Sequence, residues 1–434
     1  MTGRRAEWRY ALLVFLFWLP TGLYLATHIL LMLDRGLSVA AIGTTVLVYS
    51  LTTAALELPT GGLADVIGRR TVLAASAVAS FAGLALLTVA DGFWLFAASA
   101  ALRGVARALS SGPDEAWFVD TMHAAEGPDA YLTRGLARGE AASSVGLLIG
   151  TLVGGALPLA IGAVGPLPAL AVPVAIAALV ELVRLAVTLG GMPEPPRPRT
   201  SVGAVLRGVP ATVVVGLRLG LRDGVLARLL LAGAGVGVAL AAIELLTPGW
   251  LAGLVGDPAR GATTYATVAA AGFGASAVGS LLGPWAQRRL GSAIRAGVAG
   301  IALGAVALLG VAVAGPALDD AAAGVTVIAA AYLLLFVGLG ITAAPQAAVL
   351  HARVAAGERA TVVSVQSLAL QAAGGLGSVC FGALATTRGA SFAFGVAGAA
   401  LAGAAWVVAR IRLPQPAPDS IPAADEVMRT TSLA

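Results

Sequence analysis

The sequence predicts an all-α integral membrane protein with twelve transmembrane helices in two pseudo-symmetric six-helix bundles. The 434 residues are 58% hydrophobic and only 11% charged, and their mean hydropathy is +0.91. A soluble domain carries roughly 25% charged residues. The apolar residues also fall into long runs, and a helix needs about 20 of them to cross the hydrocarbon core of a bilayer.

Placing windows of about 20 residues along the chain gives the boundaries of these helices. Prolines between positions 158 and 173 separate the fifth span from the sixth. The predicted spans are 9–33, 41–62, 71–90, 93–113, 136–157, 168–189, 226–248, 264–285, 292–314, 323–345, 361–384 and 390–411.

The longest hydrophilic break divides the chain into an N-terminal bundle over 1–189 and a C-terminal bundle over 226–411. The linker between them, 190–225, opens with a proline-rich stretch that cannot lie inside a helix. It continues as an apolar stretch with spaced arginines, which predicts an amphipathic helix on the cytoplasmic membrane surface. The Pro-rich polar tail over 412–434 is predicted to be disordered.

The distribution of basic residues predicts the topology. All 27 of them are arginine. If the N-terminus is cytoplasmic, the outer loops hold only Arg35, Arg260 and Arg388, and most of the others fall in inner segments. Cytoplasmic loops are enriched in basic residues. We therefore predict a multi-pass protein of the bacterial inner (plasma) membrane with both termini in the cytoplasm.

Several function classes are excluded by composition. The arginines form no basic patch with interleaved aromatic residues, so nucleic acid is not an expected partner. One cysteine, Cys380, and three distant histidines argue against a disulfide framework and a metal site. No phosphate-binding loop is present, and no cluster of nucleophile, base or metal ligands suggests an enzyme. We predict no cofactor.

A charged turn between the second and third spans has the form G-x-L-A-D-x-x-G-R-R-x-x-L over residues 61–73. Gly61 and Gly68 permit a tight turn. Asp65 and Arg69 can pair on one face if the segment is helical. A solvated turn with inner arginines is the alternative interpretation. The pattern resembles the signature between helices 2 and 3 of the major facilitator superfamily, a class of secondary transporters.

The resemblance covers the chain apart from its two ends. It implies a monomer in the lipid bilayer that moves a small-molecule substrate by rocking two parallel six-helix repeats about a central cavity. In this family an acid at the inner end of helix 4 pairs with an arginine of the turn, and Asp120 with Arg69 or Arg70 is the preferred pair. The gating residues predicted on this basis are Gly61, Asp65, Gly68, Arg69, Arg70 and Asp120.

Three acids are candidates for proton coupling: Glu244, Glu57 and Asp114. Glu244 lies on a helix that lines the cavity in this fold and has no basic neighbour on its own helix. Glu57 adjoins the charged turn. The alternatives are a wet, ionised acid at the outer mouth for Glu244 and a solvated interfacial acid for Asp114. Glu181 and Arg184, three residues apart, are predicted to neutralise each other.

Tyr24, His28, Arg103 and Tyr332 are candidates for lining the cavity, because they fall on helices that surround it in this fold. Aromatic walls suit bulky amphiphilic substrates, although core packing explains each aromatic residue singly. A guanidinium near the middle of a span costs at least ~2.5 kcal/mol. Arg103 therefore either faces a wet cavity or is a structural arginine paired inside the bundle.

Glycines of the fifth span, Gly146, Gly150, Gly154 and Gly155, permit close helix packing. They also resemble part of the helix 5 signature of drug/proton antiporters, with Thr151 in place of its proline. The resemblance implies multidrug-type efflux, that is, proton-coupled export of small drug-like or metabolite molecules. The alternatives are a uniporter or importer of a small metabolite, and a transport-dead sensor of the same fold.

Overall fold

The computed structural model describes residues 2–194, 218, 222–315, 320–354 and 359–412. The predicted surface helix of the linker and the predicted disordered tail lie almost entirely outside these ranges. The side chain of Asp65 is also outside the description, and so its part in gating stays a prediction.

The N-terminal half is built from helices joined by short connections. A 3-10 turn at Ala169–Ala171 precedes its last helix. The described helices are α1 (Gly3–Leu25), α2 (His28–Asp34), α3 (Val39–Ile67), α4 (Arg69–Val89), α5 (Phe93–Leu109), α6 (Pro113–Glu126), α7 (Thr133–Ile161) and α8 (Val172–Gly191).

The C-terminal half repeats the pattern with longer helices. Three of them begin at an aspartate whose carboxylate accepts backbone N–H groups of the first turn: Asp223, Asp257 and Asp320. The described helices are α9 (Gly224–Val255), α10 (Pro258–Leu290), α11 (Ala293–Ala314), α12 (Ala321–Arg353), α13 (Arg359–Arg388) and α14 (Ala390–Ala409).

The twelve-helix membrane fold is confirmed. Within the described residues, 11 helical segments are long and apolar enough to span a bilayer, with α1 and α2 together forming the first. Helix α5, with 17 residues, occupies the position of the fourth predicted span. That prediction, 93–113, is wrong at its C-terminal end, because Gly112 adopts a positive φ of 94° and Pro113 begins the separate helix α6.

The two ends of the bundle are distinct. Since successive spans alternate in direction, the start of α1 and the end of α14 lie at one end, here called the termini end. The opposite end, which holds the connections around Gly36 and Gly256, is here called the loop end. Large apolar side chains remain exposed on the outer surface, with Trp94, Leu281 and Val313 at least 80% exposed. Such a surface suits lipid rather than water.

The halves pack against each other along two helix pairs. Helix α3 of the N-terminal half lies against α13, and α7 lies against α10. Within the N-terminal half α1 packs on α7, and within the C-terminal half α10 packs on α12. Helices α1, α5 and α9 therefore lie next to the space between the halves.

Candidate functional site

A cavity of about 360 Å³ lies between the two halves. Its wall comes from α1, α2, α3, α5 and α7 on one side and from α9, α10 and α13 on the other. Sites for small molecules typically occupy about 300–1,000 Å³. Five aromatic side chains contribute to the wall: Trp18, Tyr24, Tyr49, Tyr265 and Phe273.

Arg103 projects from the middle of α5 into the wall formed by the N-terminal half. Its guanidinium carbon lies 5.2 Å from the ring centroid of Tyr24 and 5.9 Å from that of Tyr49. These are cation–π distances. Gly83 of α4 makes room for the arginine, because a Cβ there would lie 2.8 Å from the Arg103 Cγ. Helix α5 thus holds a positive charge against two aromatic faces of the cavity.

His28 lies at the break between α1 and α2. Its Nδ1 lies 3.2 Å from the Tyr24 carbonyl oxygen and 3.1 Å from that of Leu25, in the last turn of α1. Because a carbonyl only accepts, Nδ1 carries a hydrogen and donates. The break therefore fixes the histidine at the cavity wall in one orientation.

Glu244 is the acidic residue of the opposite wall. It lies on α9 in the part nearer the loop end, and its side chain is accessible from the cavity. Among the described residues, no hydrogen bond or ion pair engages its carboxylate. Helix α10 adds two aromatic side chains to this wall, Tyr265, which is 1% exposed, and Phe273.

Glu57 makes a direct polar contact across the halves. The Gln371 side-chain amide of α13 donates a hydrogen bond of 2.9 Å to its carboxylate. The Ser111 hydroxyl, just beyond α5, donates a second bond of 3.3 Å. Glu57 lies in the half of α3 nearer the termini end. The contact therefore joins the halves on the termini side of the cavity.

At the loop end the halves approach until backbone touches side chain. The Thr263 hydroxyl of α10 donates a 2.8 Å hydrogen bond to the Gly155 carbonyl of α7. A Cβ on Gly155 would overlap the Cβ of Ala266. On the other helix pair, a Cβ on Gly382 would lie 2.6 Å from the Val39 carbonyl oxygen. The structure is thus closed at the loop end.

The glycines of α7 divide into two groups by what they face. Gly146, Gly150 and Gly154 pack on the backbone of α1 in their own half, near Phe15, Leu19 and Leu23 respectively. Gly155 alone among these four turns toward the other half. Packing inside the N-terminal half therefore explains three of the glycines. Of these four, only Gly155 lies where the two halves would separate during a conformational change.

The charged turn is not continuous helix. Gly68 adopts a positive φ of 103° between α3 and α4. The condition for that predicted pairing, one continuous helix from Asp65 to Arg69, is not met, because Gly68 separates α3 from α4. The contact itself stays a prediction, since the Asp65 side chain lies outside the described residues. Arg69 forms an ion pair with Asp120 of α6 and donates to the Ala116 carbonyl. The predicted contact of Asp120 with Arg69 is present, and its role in gating stays a prediction.

Glu194 of the linker was not singled out from the sequence. Its carboxylate accepts the backbone N–H of Arg70 at 2.9 Å, which places a negative charge on the positive end of α4. The preceding residue is held as well, because the Trp117 indole donates to the Pro193 carbonyl at 3.2 Å. The start of the linker is therefore anchored on the charged turn and on α6.

Asp114 lies at the start of α6, outside the membrane-spanning helices. It faces a small cleft that also contains Ser110, Arg184 and Thr188. Burial raises the pKa of the Asp114 carboxyl, while backbone hydrogen bonds and the charge of Arg107 act in the opposite direction. The residue is neither a freely solvated acid nor part of the central cavity.

The comparison with known families identifies the chain. A family model described as Major Facilitator Superfamily matches residues 10–378. The chain belongs to this superfamily. It is therefore a multi-pass membrane transporter rather than an enzyme. A search of curated proteins gave no sequence match.

Solved structures of other transporters share the fold. The nucleoside transporter NupG matches with a TM-score of 0.73 and 14% identity, over 94% of this chain and 100% of that chain. A bacterial homologue of the iron transporter ferroportin in an inward-facing state matches with a TM-score of 0.72 and 19% identity, over 94% of this chain and 99% of that chain. The peptide transporter POT in complex with sulfate matches with a TM-score of 0.72 and 14% identity, over 93% of this chain and 94% of that chain. At these identities the likeness shows the fold alone.

The sequence-predicted site residues of this superfamily member are only partly brought together. Tyr24, His28, Arg103 and Glu244 share the cavity. Tyr332 is not at the cavity surface. It is 2% exposed behind Tyr265 and stacks on Phe336 with a ring-centroid distance of 4.8 Å. Helix α12 is therefore one layer behind the wall, and α3 and α13 contribute to the wall instead.

The predicted pairing of Glu181 with Arg184 is confirmed. The Arg184 Nε donates to the Glu181 carboxylate at 2.5 Å, and both side chains are 3% exposed. The Ser80 hydroxyl donates to the same carboxylate at 2.8 Å. This pair lies within the N-terminal half and holds α8 against α4, away from the cavity.

Proposed function

We propose that this transporter is a secondary active exporter that moves small molecules in exchange for protons by alternating access. The cavity between the halves is its substrate site. The two halves rock about this site, so that it opens to one side of the membrane at a time.

The contacts between the halves support such a cycle. At the loop end, glycines allow the helices of the two halves to approach closely, at Gly155 and Gly382. On the termini side of the cavity, the Glu57–Gln371 hydrogen bond connects the halves through two side chains. Side-chain contacts and small-residue surfaces separate without disturbing the packing inside each half. Because the halves are in close contact at the loop end, we take the termini end as the side from which substrate reaches the cavity in this conformation.

The position of Glu244 is the main support for proton coupling. Its carboxylate faces the cavity from the C-terminal half with no ion pair or hydrogen bond among the described residues. An ionisable group in this position is costly in a membrane protein and is characteristic of proton and substrate pathways. A carboxylate free of salt bridges is able to gain and lose a proton as the cavity changes its exposure.

A growth test distinguishes export from import. Cells without their own efflux pumps would express the wild-type chain or the Glu244→Gln variant on a panel of toxic aromatic compounds. We expect the wild type to raise the inhibitory concentration of some compounds at least about fourfold, and the variant not to. Wild-type cells that become more sensitive would show import, and cells with unchanged tolerance across the panel would count against drug-like export.

We also propose that the termini end faces the cytoplasm of a bacterial inner membrane. Cysteine labelling tests this orientation after the native Cys380, which is exposed, is replaced by serine. Asp91 lies in an exposed connection at the loop end, and Asp129 lies in one at the termini end. In intact cells a membrane-impermeant maleimide should label the Asp91→Cys variant and leave Asp129→Cys unlabelled until the cells are opened. The reverse pattern would mean that the protein is inserted the other way round.

A further inference from the structure

Two opposite charges face the same cavity without meeting each other. Arg103 comes from the N-terminal half and Glu244 from the C-terminal half. Among the described residues, neither side chain forms an ion pair. Several other charges among the described residues are paired, such as Glu181 with Arg184 and Arg69 with Asp120. Arg103 and Glu244 differ from these paired charges.

The hydrogen-bonding capacity of Arg103 is unused in the described structure. Its Nε is buried and has no acceptor. Tyr24 and Tyr49 are positioned as cation–π partners, an interaction with the guanidinium charge that satisfies none of its five N–H donors. A carboxylate or phosphate that entered the cavity would accept these donors in a bidentate geometry.

The opposite wall is built for a positive group. The Glu244 carboxylate accepts hydrogen bonds only, and it is open to the cavity. The rest of the wall includes apolar and aromatic side chains, such as Trp18 and Phe273. A ligand that carries only one charge would satisfy one wall and leave the other charge desolvated and unpaired, which is costly.

We propose that the cavity binds small zwitterions that have an apolar or aromatic body, with the anionic group at Arg103 and an ammonium group at Glu244. The inference rests on the proposed function, because it takes the cavity as the substrate site. It also gives exchange a simple basis. A proton on Glu244 removes the charge that holds the ammonium group, so that proton and substrate compete for one carboxylate.

The test is equilibrium binding, which needs no gradient and no transport. Isothermal titration calorimetry of the purified full-length chain in detergent would compare four matched ligands. They are 4-(aminomethyl)benzoate, 4-methylbenzoate, 4-methylbenzylamine and 4-methylbenzyl alcohol, which have one ring and differ in charge. We expect the zwitterion to bind about tenfold or more tightly than each of the others, since hydrogen bonds to charged groups are worth at least that much.

Variants assign each charge to its partner. Arg103→Gln should lower the affinity for the zwitterion to that of the amine, and Glu244→Gln should lower it to that of the benzoate. Arg103→Lys keeps the charge and should retain a preference for the zwitterion, which guards against a folding defect in Arg103→Gln. Arg107→Gln is the matched control, because Arg107 lies one turn away on α5 over Phe17 and Trp18, outside the cavity.

The proposal is overturned if a singly charged or neutral ligand binds as tightly as the zwitterion, if the advantage of the zwitterion survives in both charge variants, or if no ligand of the set binds. Those results would leave the proposed export untouched, since the growth test uses a panel of toxic aromatic compounds and does not depend on a preference for zwitterions. Loss of export with an intact zwitterion preference would instead overturn the direction or coupling of transport and keep the site.

Discussion

The Glu244→Gln variant is expected to lose uphill transport while it retains substrate exchange. Glutamine keeps the size and hydrogen-bonding reach of the side chain and removes its ability to carry a proton. Without a proton carrier, a pH gradient cannot drive the transport cycle. Rocking of the halves around bound substrate does not need the proton, so that exchange at saturating substrate and zero gradient should continue.

The measurement uses proteoliposomes with and without an imposed pH gradient. Gradient-driven accumulation should fall to the level of empty vesicles, and counterflow of labelled substrate should stay within about threefold of wild type. Glu115→Gln is the matched control, because the same chemical change is made at an exposed acid of α6, away from the cavity. If Glu244→Gln accumulates substrate as well as wild type, the coupling acid is elsewhere, with Glu57 and Asp114 next to be tested.

The Gly155→Leu variant is expected to prevent closure at the loop end. A Cβ at this position already overlaps Ala266 of the other half, and the Thr263 hydrogen bond to the Gly155 carbonyl depends on the same close approach. A leucine therefore separates α7 from α10 where the halves meet. Each half keeps its own packing, since Gly146, Gly150 and Gly154 face α1 instead.

Two measurements follow for this variant. Transport should fall at least about tenfold, and a cysteine at Thr45, which lines the cavity and is 2% exposed, should be labelled at least about tenfold faster from the loop side. Gly274→Leu is the control, because Gly274 lies on α10, the helix that Gly155 approaches, and has open space where a Cβ would be. Unchanged labelling of Thr45→Cys would show that Gly155 is ordinary packing.

The sequence predicts the fold well because membrane insertion depends on summed properties. Length, apolarity and arginine placement act over whole helices, so that single residues hardly change the result. Local breaks are harder to anticipate. The α5–α6 break depends on the positive φ of Gly112, and the interruption near Thr27 depends on capping by His28. Each of these two breaks depends on only a few residues, and so neither has a long sequence pattern that would predict it.

The candidate site is predictable only in part. An acid or arginine inside an apolar run is visible in the sequence, and Arg103 and Glu244 were found in this way. Which charges pair depends on distances between helices that are remote in the chain. Two contacts are therefore visible only in the three-dimensional structure: the bond from Gln371 to Glu57, and the bond from the charged turn to Glu194. The prediction that Tyr332 lines the cavity is wrong for a similar reason, since the rotation and position of α12 decide which of its side chains reach the cavity.

The hydrogen bond between Glu57 and Gln371 also has a meaning for the resting protein. A bond to a charged acceptor contributes roughly 1.5–3 kcal/mol, which corresponds to a factor of about 10 to 150 in the ratio of two conformers. Because the bond joins opposite halves, its whole contribution favours whichever conformer contains it. Loss of this bond, for example in Gln371→Ala, should therefore shift the ratio of the conformers, and with it the apparent affinity from each side of the membrane, even when the binding site itself is unchanged.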